Sequence, residues 1–224
     1  FEENELGFRQ PTLRALATVH RRISKLHLAD SVGIDFHKTG FTPYVSSLFL
    51  VRARQDMQPL LRKRHETPYL FQTGQQHPGL YTLETSRSGC GVLAAYANLN
   101  LFGKTGMRAL LGHLVEMAEL LRQQLEQHLS ITVLNRDSGG PVTLFRVYPD
   151  GVDTCTILER ERSDPAARNE LRRHNTYNRS IFQQLRTRAM RGQSVHLSMT
   201  NCYRDTNDGE SIVSLKSYML SPFV

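Results

Sequence analysis

Asp30-Ser31-Val32-Gly33-Ile34-Asp35-Phe36-His37-Lys38-Thr39-Gly40-Phe41-Thr42-Pro43-Tyr44-Val45-Ser46-Ser47-Leu48-Phe49-Leu50 is the stretch on which the reading of this chain turns. Val32, Ile34 and Phe36 alternate with a period of two, which predicts a short strand that delivers Lys38 to the point where Thr39-Gly40 ends the ladder. After the Gly40 to Pro43 turn, Val45 to Val51 reads as a second strand, apolar enough to be buried in a mixed sheet. Lys38 then stands on a hairpin-like platform facing a cleft. An ammonium group there must be paired or give up its charge, and a neutral amine is what imine chemistry requires. Taken alone, a lysine at a strand end is a solvated surface residue.

Outward from this platform the pattern is helical. Thr12 caps a helix from Leu13 to about Leu26, with an apolar stripe of Leu13, Leu16, Ala17, Val19 and Ile23. Residues 54–63 suggest a short helix that Pro59 weakens. From Arg64 to Ser86 the composition shifts to Thr, Gly, Gln, His and Pro, a run long enough to mark a lid or a link. Ser86 is a cap for the helix that follows, and Gly89 and Gly91 weaken its first turn. The next helix, Met107 to about His128, sets Leu110, Leu111, Leu114, Met117, Leu121 and Leu125 on one face, and Arg122 and Glu126 on the other.

Beyond residue 130 the periods shorten. Ile131 to Leu134 and Val142 to Val147 alternate around the turn Ser138-Gly139-Gly140-Pro141. Asp164-Pro165 starts a helix to about Met190, and strands Val195 to Thr200 and Ile212 to Tyr218 flank the turn at Asp205 to Gly209. This is a small α+β domain of order β-β-α-β-β.

The stretch with Asp35, His37, Lys38, Ser46 and Ser47 resembles the Schiff-base segment of group II pyridoxal-phosphate-dependent amino acid decarboxylases. That segment runs from a small-residue strand through Asp-x-His-Lys to a strand opening with two small residues. Tyr69-Leu70-Phe71-Gln72 is similar to the mobile loop of the glutamate decarboxylase branch, at nearly the same distance after the lysine. The resemblance implies an α/β fold: the second half of a fold type I (aspartate aminotransferase-like) large domain over residues 1–128, with a lid at 64–86, then a truncated small α+β domain over 129–224.

It also implies a lyase whose cofactor is pyridoxal phosphate, carried by Lys38, with Tyr69 on the lid as proton donor to the substrate Cα. His37, Ser46 and Ser47 become cofactor-binding candidates; as a lone histidine, His37 is equally a structural residue. Arg87, at the loop-to-helix junction, and Lys216, where the family has a carboxylate-binding arginine, become substrate-binding candidates. A lysine there keeps the charge and loses the bidentate fork. The lid favours a small acidic substrate such as aspartate, glutamate or cysteine sulfinate, with diamino or aromatic acids next, and the family implies a homodimer with its site at the interface.

Composition excludes other classes. Hydrophobic content of 39% and charged content of 22% are ordinary for a globular chain, and no apolar run reaches membrane-spanning length. Cys90, Cys155 and Cys202 have no metal-ligand spacing and suit a reducing cytoplasm. The net charge of +7 is spread over arginines in several helical segments without a nucleic-acid recognition motif. Phe1-Glu2-Glu3-Asn4-Glu5 has neither a basic leader nor an initiator methionine and reads as the start of a fragment. The last strand stops at Pro222, where the family continues into a helix. Cofactor contacts expected upstream of the lysine are absent from residues 1–37, which leaves a second reading: a catalytically incomplete piece of the fold that serves as a dimerisation or binding module.

Overall fold

The computed structural model describes residues 3–221, so Phe1, Glu2 and Pro222 lie outside the described residues. Helix α1 spans Gln10–Ile23, and Thr12 is buried inside it instead of capping it. Pro11 fits the first turn, where a missing N–H costs no helical bond. The chain then makes a separate 3-10 turn at Leu26–Leu28.

Strand β1, Ser31–Asp35, ends three residues before Lys38. Phe36–Thr39 coils into a single helical turn, α2, so the lysine sits on a turn and not on a strand end. The turn is closed by Gly40 N donating to the Phe36 carbonyl at 2.9 Å, and tied across by His37 N donating to Ser46 O at 3.1 Å. Strand β2, Ser47–Val51, pairs antiparallel with β1 in a register that sets Asp35 opposite Ser47 and Ser31 opposite Val51. The hairpin platform is therefore present, but among the described residues it is a two-stranded ribbon. The expected burial of β2 does not occur: Leu48, Phe49 and Leu50 are exposed, because no third strand or helix covers the ribbon's faces among the described residues.

Between β2 and the next helix the chain is ordered by local ties. A 3-10 segment, Arg54–Leu60, accommodates Pro59. Two further 3-10 turns, Pro68–Phe71 and Pro78–Leu80, bury Leu70 and Leu80. Arg62 staples this segment, its guanidinium donating to the carbonyls of Gly79 at 3.1 Å, Thr82 at 2.9 Å and Leu83 at 2.5 Å. The long loop read from composition is thus a packed excursion.

Helix α3 runs over Cys90–Leu125 and is broken at Gly103 (φ 58°, ψ −169°), a conformation available to glycine. It starts after Ser88, whose hydroxyl accepts from Cys90 N at 3.2 Å, so Ser86 is not the cap. Its polar face is also not where periodicity put it. Arg122 is fully buried, because Glu119, the carbonyls of Gly140 and Val142, and the Thr143 hydroxyl use its whole guanidinium fork.

The chain forms two compact units, one of Arg21–Arg108 and one combining the residues up to His20 with those from Ala109 onward. The division falls inside α3, and α1 contributes most of its length to the second unit. There α1 approaches so closely that a Cβ on Gly139 would stand 2.7 Å from the Ala15 carbonyl.

In that second unit, β3 (Ile131–Val133), β4 (Val142–Val147), β5 (Ser198–Asp205) and β6 (Ser211–Tyr218) form an antiparallel sheet of order β3-β4-β6-β5. Helix α4, Ile157–Ser163, precedes the Asp164 cap, which accepts from Ala166 N at 2.9 Å and leads through Pro165–Ala167 into α5, Arg168–Ala189. Leu171 of α5 and Phe145, Ile212, Val213 and Leu215 of the sheet are all buried in the core. Arg146 is buried beside it and donates to Tyr148 Oη at 3.0 Å, Asn175 Oδ1 at 2.8 Å, Val213 O at 2.6 Å and Glu161 Oε1 at 3.2 Å. The same carboxylate meets His174 Nδ1 at 2.7 Å, and burial pushes the Tyr148 hydroxyl well above the usual phenol range.

Candidate active site

The end of β1 and the α2 turn gather four of the sequence-predicted residues with a fifth, Asp35. Lys38 lies one helical turn after Asp35, and that i, i+3 spacing brings Nζ to Asp35 Oδ2 at 2.5 Å. The other carboxylate oxygen accepts from the Ser47 hydroxyl at 2.7 Å, across the ribbon register. Hydrogen bonding from Lys38 first, and from Ser47 second, holds the Asp35 carboxyl below the usual carboxylate range. The lysine side chain remains 42% exposed.

His37 has a second set of partners. Its Nδ1 lies 2.9 Å from the Ser46 carbonyl and 3.3 Å from the Ser46 amide, so either tautomer finds a bond to the same backbone. Its ring meets Tyr44 at 4.2 Å between centroids, tilted by 43°. Ser46 is buried, and its hydroxyl donates to the Gly91 carbonyl at 2.9 Å, tying the start of β2 to the first turn of α3. Gly91 permits this approach: a Cβ there would stand 2.6 Å from the Val45 carbonyl. Asn98 on the same helix donates to Gly40 O at 3.1 Å and Phe41 O at 2.8 Å, fixing the turn after the lysine.

The remaining candidates lie elsewhere. Tyr69, 58% exposed, sits on the 3-10 turn Pro68–Phe71 in the same unit as Lys38. Arg87 precedes α3 and meets Glu84 at 3.5 Å on the surface. Lys216, on β6 of the other unit, lies 5.8 Å from the centre of the Tyr218 ring.

Sequence reading missed the part Asp35 plays as the lysine's counter-ion, although the residue stood in the quoted motif. Its signal was the i, i+3 spacing, visible only once Phe36–Thr39 is read as helical. Among the described residues no group of three or more His, Cys, Asp or Glu side chains is placed to hold a metal, the three cysteines are free and exposed, and no helix is long and apolar enough to cross a membrane.

No protein-family model matches the chain. An aspartate 1-decarboxylase of Aliivibrio fischeri is 28% identical over 141 residues, covering 63% of this chain and 25% of that protein. An L-tyrosine decarboxylase of Enterococcus faecium is 29% identical over 154 residues, covering 66% of this chain and 23% of that protein. The chain thus spans about a quarter of the length of the curated relatives it matches. Mouse CSAD in apo form shares the fold over 96% of this chain and 40% of its own, with a TM-score of 0.62 and 11% identity. Oryza sativa TDC, solved with PLP, shares it over 87% of this chain and 32% of its own, with a TM-score of 0.52 and 14% identity.

Proposed function

We propose that this chain belongs to the pyridoxal-phosphate-dependent amino acid decarboxylase family, part of whose members' length it matches, and that it carries the lysine and proton-donor portion of such an enzyme. The observation that supports this most is the amine of Lys38, presented on a braced turn by a partly exposed side chain and paired with a carboxylate one helical turn away. These residues fit the cofactor: a primary amine is the group that captures an aldehyde, and Lys38 supplies one on a side chain that is not sealed in the core. When bound, pyridoxal phosphate supplies the electron sink that makes loss of carbon dioxide from an amino acid feasible.

The chain's own residues do the rest. Lys38 holds the cofactor, and Asp35 aims its amine through the hydrogen bond to Nζ. The amine must leave that partner in order to attack, so release of the pair is part of the reaction. His37 and Ser46 lock the turn on which the lysine stands, which fixes the direction of Nζ. Tyr69, exposed on its 3-10 turn, serves as the proton donor to the substrate Cα when its segment covers the site and excludes water.

The substrate we propose is an acidic amino acid, with Arg87 and Lys216 as carboxylate partners and a second copy of the chain completing the site. The name of the Aliivibrio relative supports an acidic substrate, while the Enterococcus relative is named for an aromatic one. Borohydride reduction in the presence of pyridoxal phosphate, followed by peptide mapping, tests the assignment. The label is expected on the peptide containing Lys38 and absent from Lys38→Ala. Label spread over surface lysines, undiminished in Lys38→Ala, overturns it.

A further inference from the structure

Although arginines stand in several helical segments, their excess over carboxylates, the formal +7, falls in one run. Seven arginines and no Asp or Glu lie between Leu171 and Arg204, so the rest is balanced at 21 Lys and Arg against 21 Asp and Glu. The structure resolves part of this run into a row. Arg172, Arg179 and Arg186 follow one another at seven-residue intervals on α5, continuing the line of Arg168, and successive members stand about 10.5 Å apart along the axis. All four are exposed.

The row flanks β5, the edge strand of the sheet, and Arg179 Nε reaches Asn201 Oδ1 of that strand at 3.5 Å. Its first half already has partners. Arg168 donates to Asp208 at 2.6 Å and 3.0 Å, and Arg172 donates to Glu210 at 2.5 Å, both from the turn that joins β5 to β6. That turn ends at Glu210, and the second half of the row has no carboxylate partner among the described residues.

We infer that Arg179 and Arg186, with the outer side of β5, form a docking surface for an acidic segment of a partner protein, whose carboxylates continue in trans the ladder that Asp208 and Glu210 begin in cis. The occupant follows from what the row binds already: carboxylates, held by guanidinium forks at the spacing of one helix. A single-stranded nucleic acid would need stacking platforms along its path. On this helix the row has beside it only Tyr177, 38% exposed, and the half-buried Phe182, too few to stack a strand along its length. An acidic partner would also steer onto this face, because the chain's whole net charge lies in this run.

The test is fluorescence anisotropy of the full chain with a labelled oligo-glutamate peptide, run beside a thymidine oligonucleotide of equal charge. Arg179→Gln with Arg186→Gln is compared with Arg54→Gln plus Arg108→Gln, which removes the same charge from exposed positions elsewhere. The peptide is expected to bind with salt-sensitive affinity, and the first pair to weaken it about tenfold or more while the second changes it less than about twofold. Melting curves that coincide with the parent's keep a folding defect out of the comparison. Absence of peptide binding at low salt, equal weakening by both pairs, or tighter binding of the oligonucleotide through the same two arginines overturns the proposal.

Discussion

The two-stranded ribbon and the four-stranded sheet are built from similar amounts of apolar sequence and end in opposite states. β2 leaves Leu48, Phe49 and Leu50 exposed, whereas β6 buries Ile212, Val213 and Leu215 almost completely. The sheet has α5 against it and a buried Arg146–Glu161 pair at its centre. The ribbon has no such layer among the described residues, and what braces it is polar: Lys38 to Asp35, Ser47 to Asp35, His37 to Ser46 and Ser46 to Gly91. The proposed chemistry thus stands on the region whose local geometry is held by hydrogen bonds, and stability is concentrated in the other.

Substitutions can break this contrast. Glu161→Ala should be the most damaging, since it strands a fully buried guanidinium, and a loss of about 3–5 kcal/mol is expected in urea denaturation. Leu171→Ala, a cavity in the same core, should cost about 2–5 kcal/mol by the same measurement. Ser46→Ala removes one buried tie between the ribbon and α3, and about 1 kcal/mol is expected, read as faster amide exchange at His37 and Gly40.

The pairing of Asp35 is sharpened by pH. Its carboxyl titrates below the usual range, so the pair's stabilisation is present at neutral pH and lost as pH falls through that depressed value, below about 4. NMR titration of Asp35 should show its midpoint moving up in Lys38→Ala and less so in Ser47→Ala. Phe49→Ala, in contrast to Leu171→Ala, should change stability of the isolated chain by no more than about 0.5 kcal/mol, because the ring is already 53% exposed. A large loss would show that the ribbon is covered in solution.

Three strands of the second unit's sheet were legible because turn signals bracket them, Gly139-Gly140-Pro141 before β4 and Asp205 to Gly209 before β6, whereas the strand expected over Val195 to Thr200 lies at Ser198–Asp205, because its pairing with β6 and not its own weakly apolar sequence sets its bounds. The Asp164-Pro165 start of the long helix was legible for the same reason. The α2 turn was hidden, because Phe36 and Lys38 continue the period of the strand before them, and neither the Gly40-to-Phe36 bond that closes the turn nor the cross-strand bond from His37 to Ser46 leaves a mark on that period. Arg122 and Glu161 were misplaced or missed because a charged residue in a helical pattern reads as solvated until its partners, distant in sequence, are known. At the site, Lys38, His37, Ser46 and Ser47 gather as one cluster, and the grouping follows from the antiparallel register. Tyr69, Arg87 and Lys216 depend on segment placement that no local pattern encodes.

Arg62 gives the chain's most loop-like stretch the properties of a closed ring. Its backbone amide donates to Leu80 O at 2.9 Å while its guanidinium holds the carbonyls on either side, and Leu70 and Leu80 are buried within the same segment. A protease that cuts at the exposed tip between Gln72 and Gln76 therefore severs the covalent chain without parting the fragments. The nicked molecule should elute from a sizing column as one body and separate into two only in denaturant.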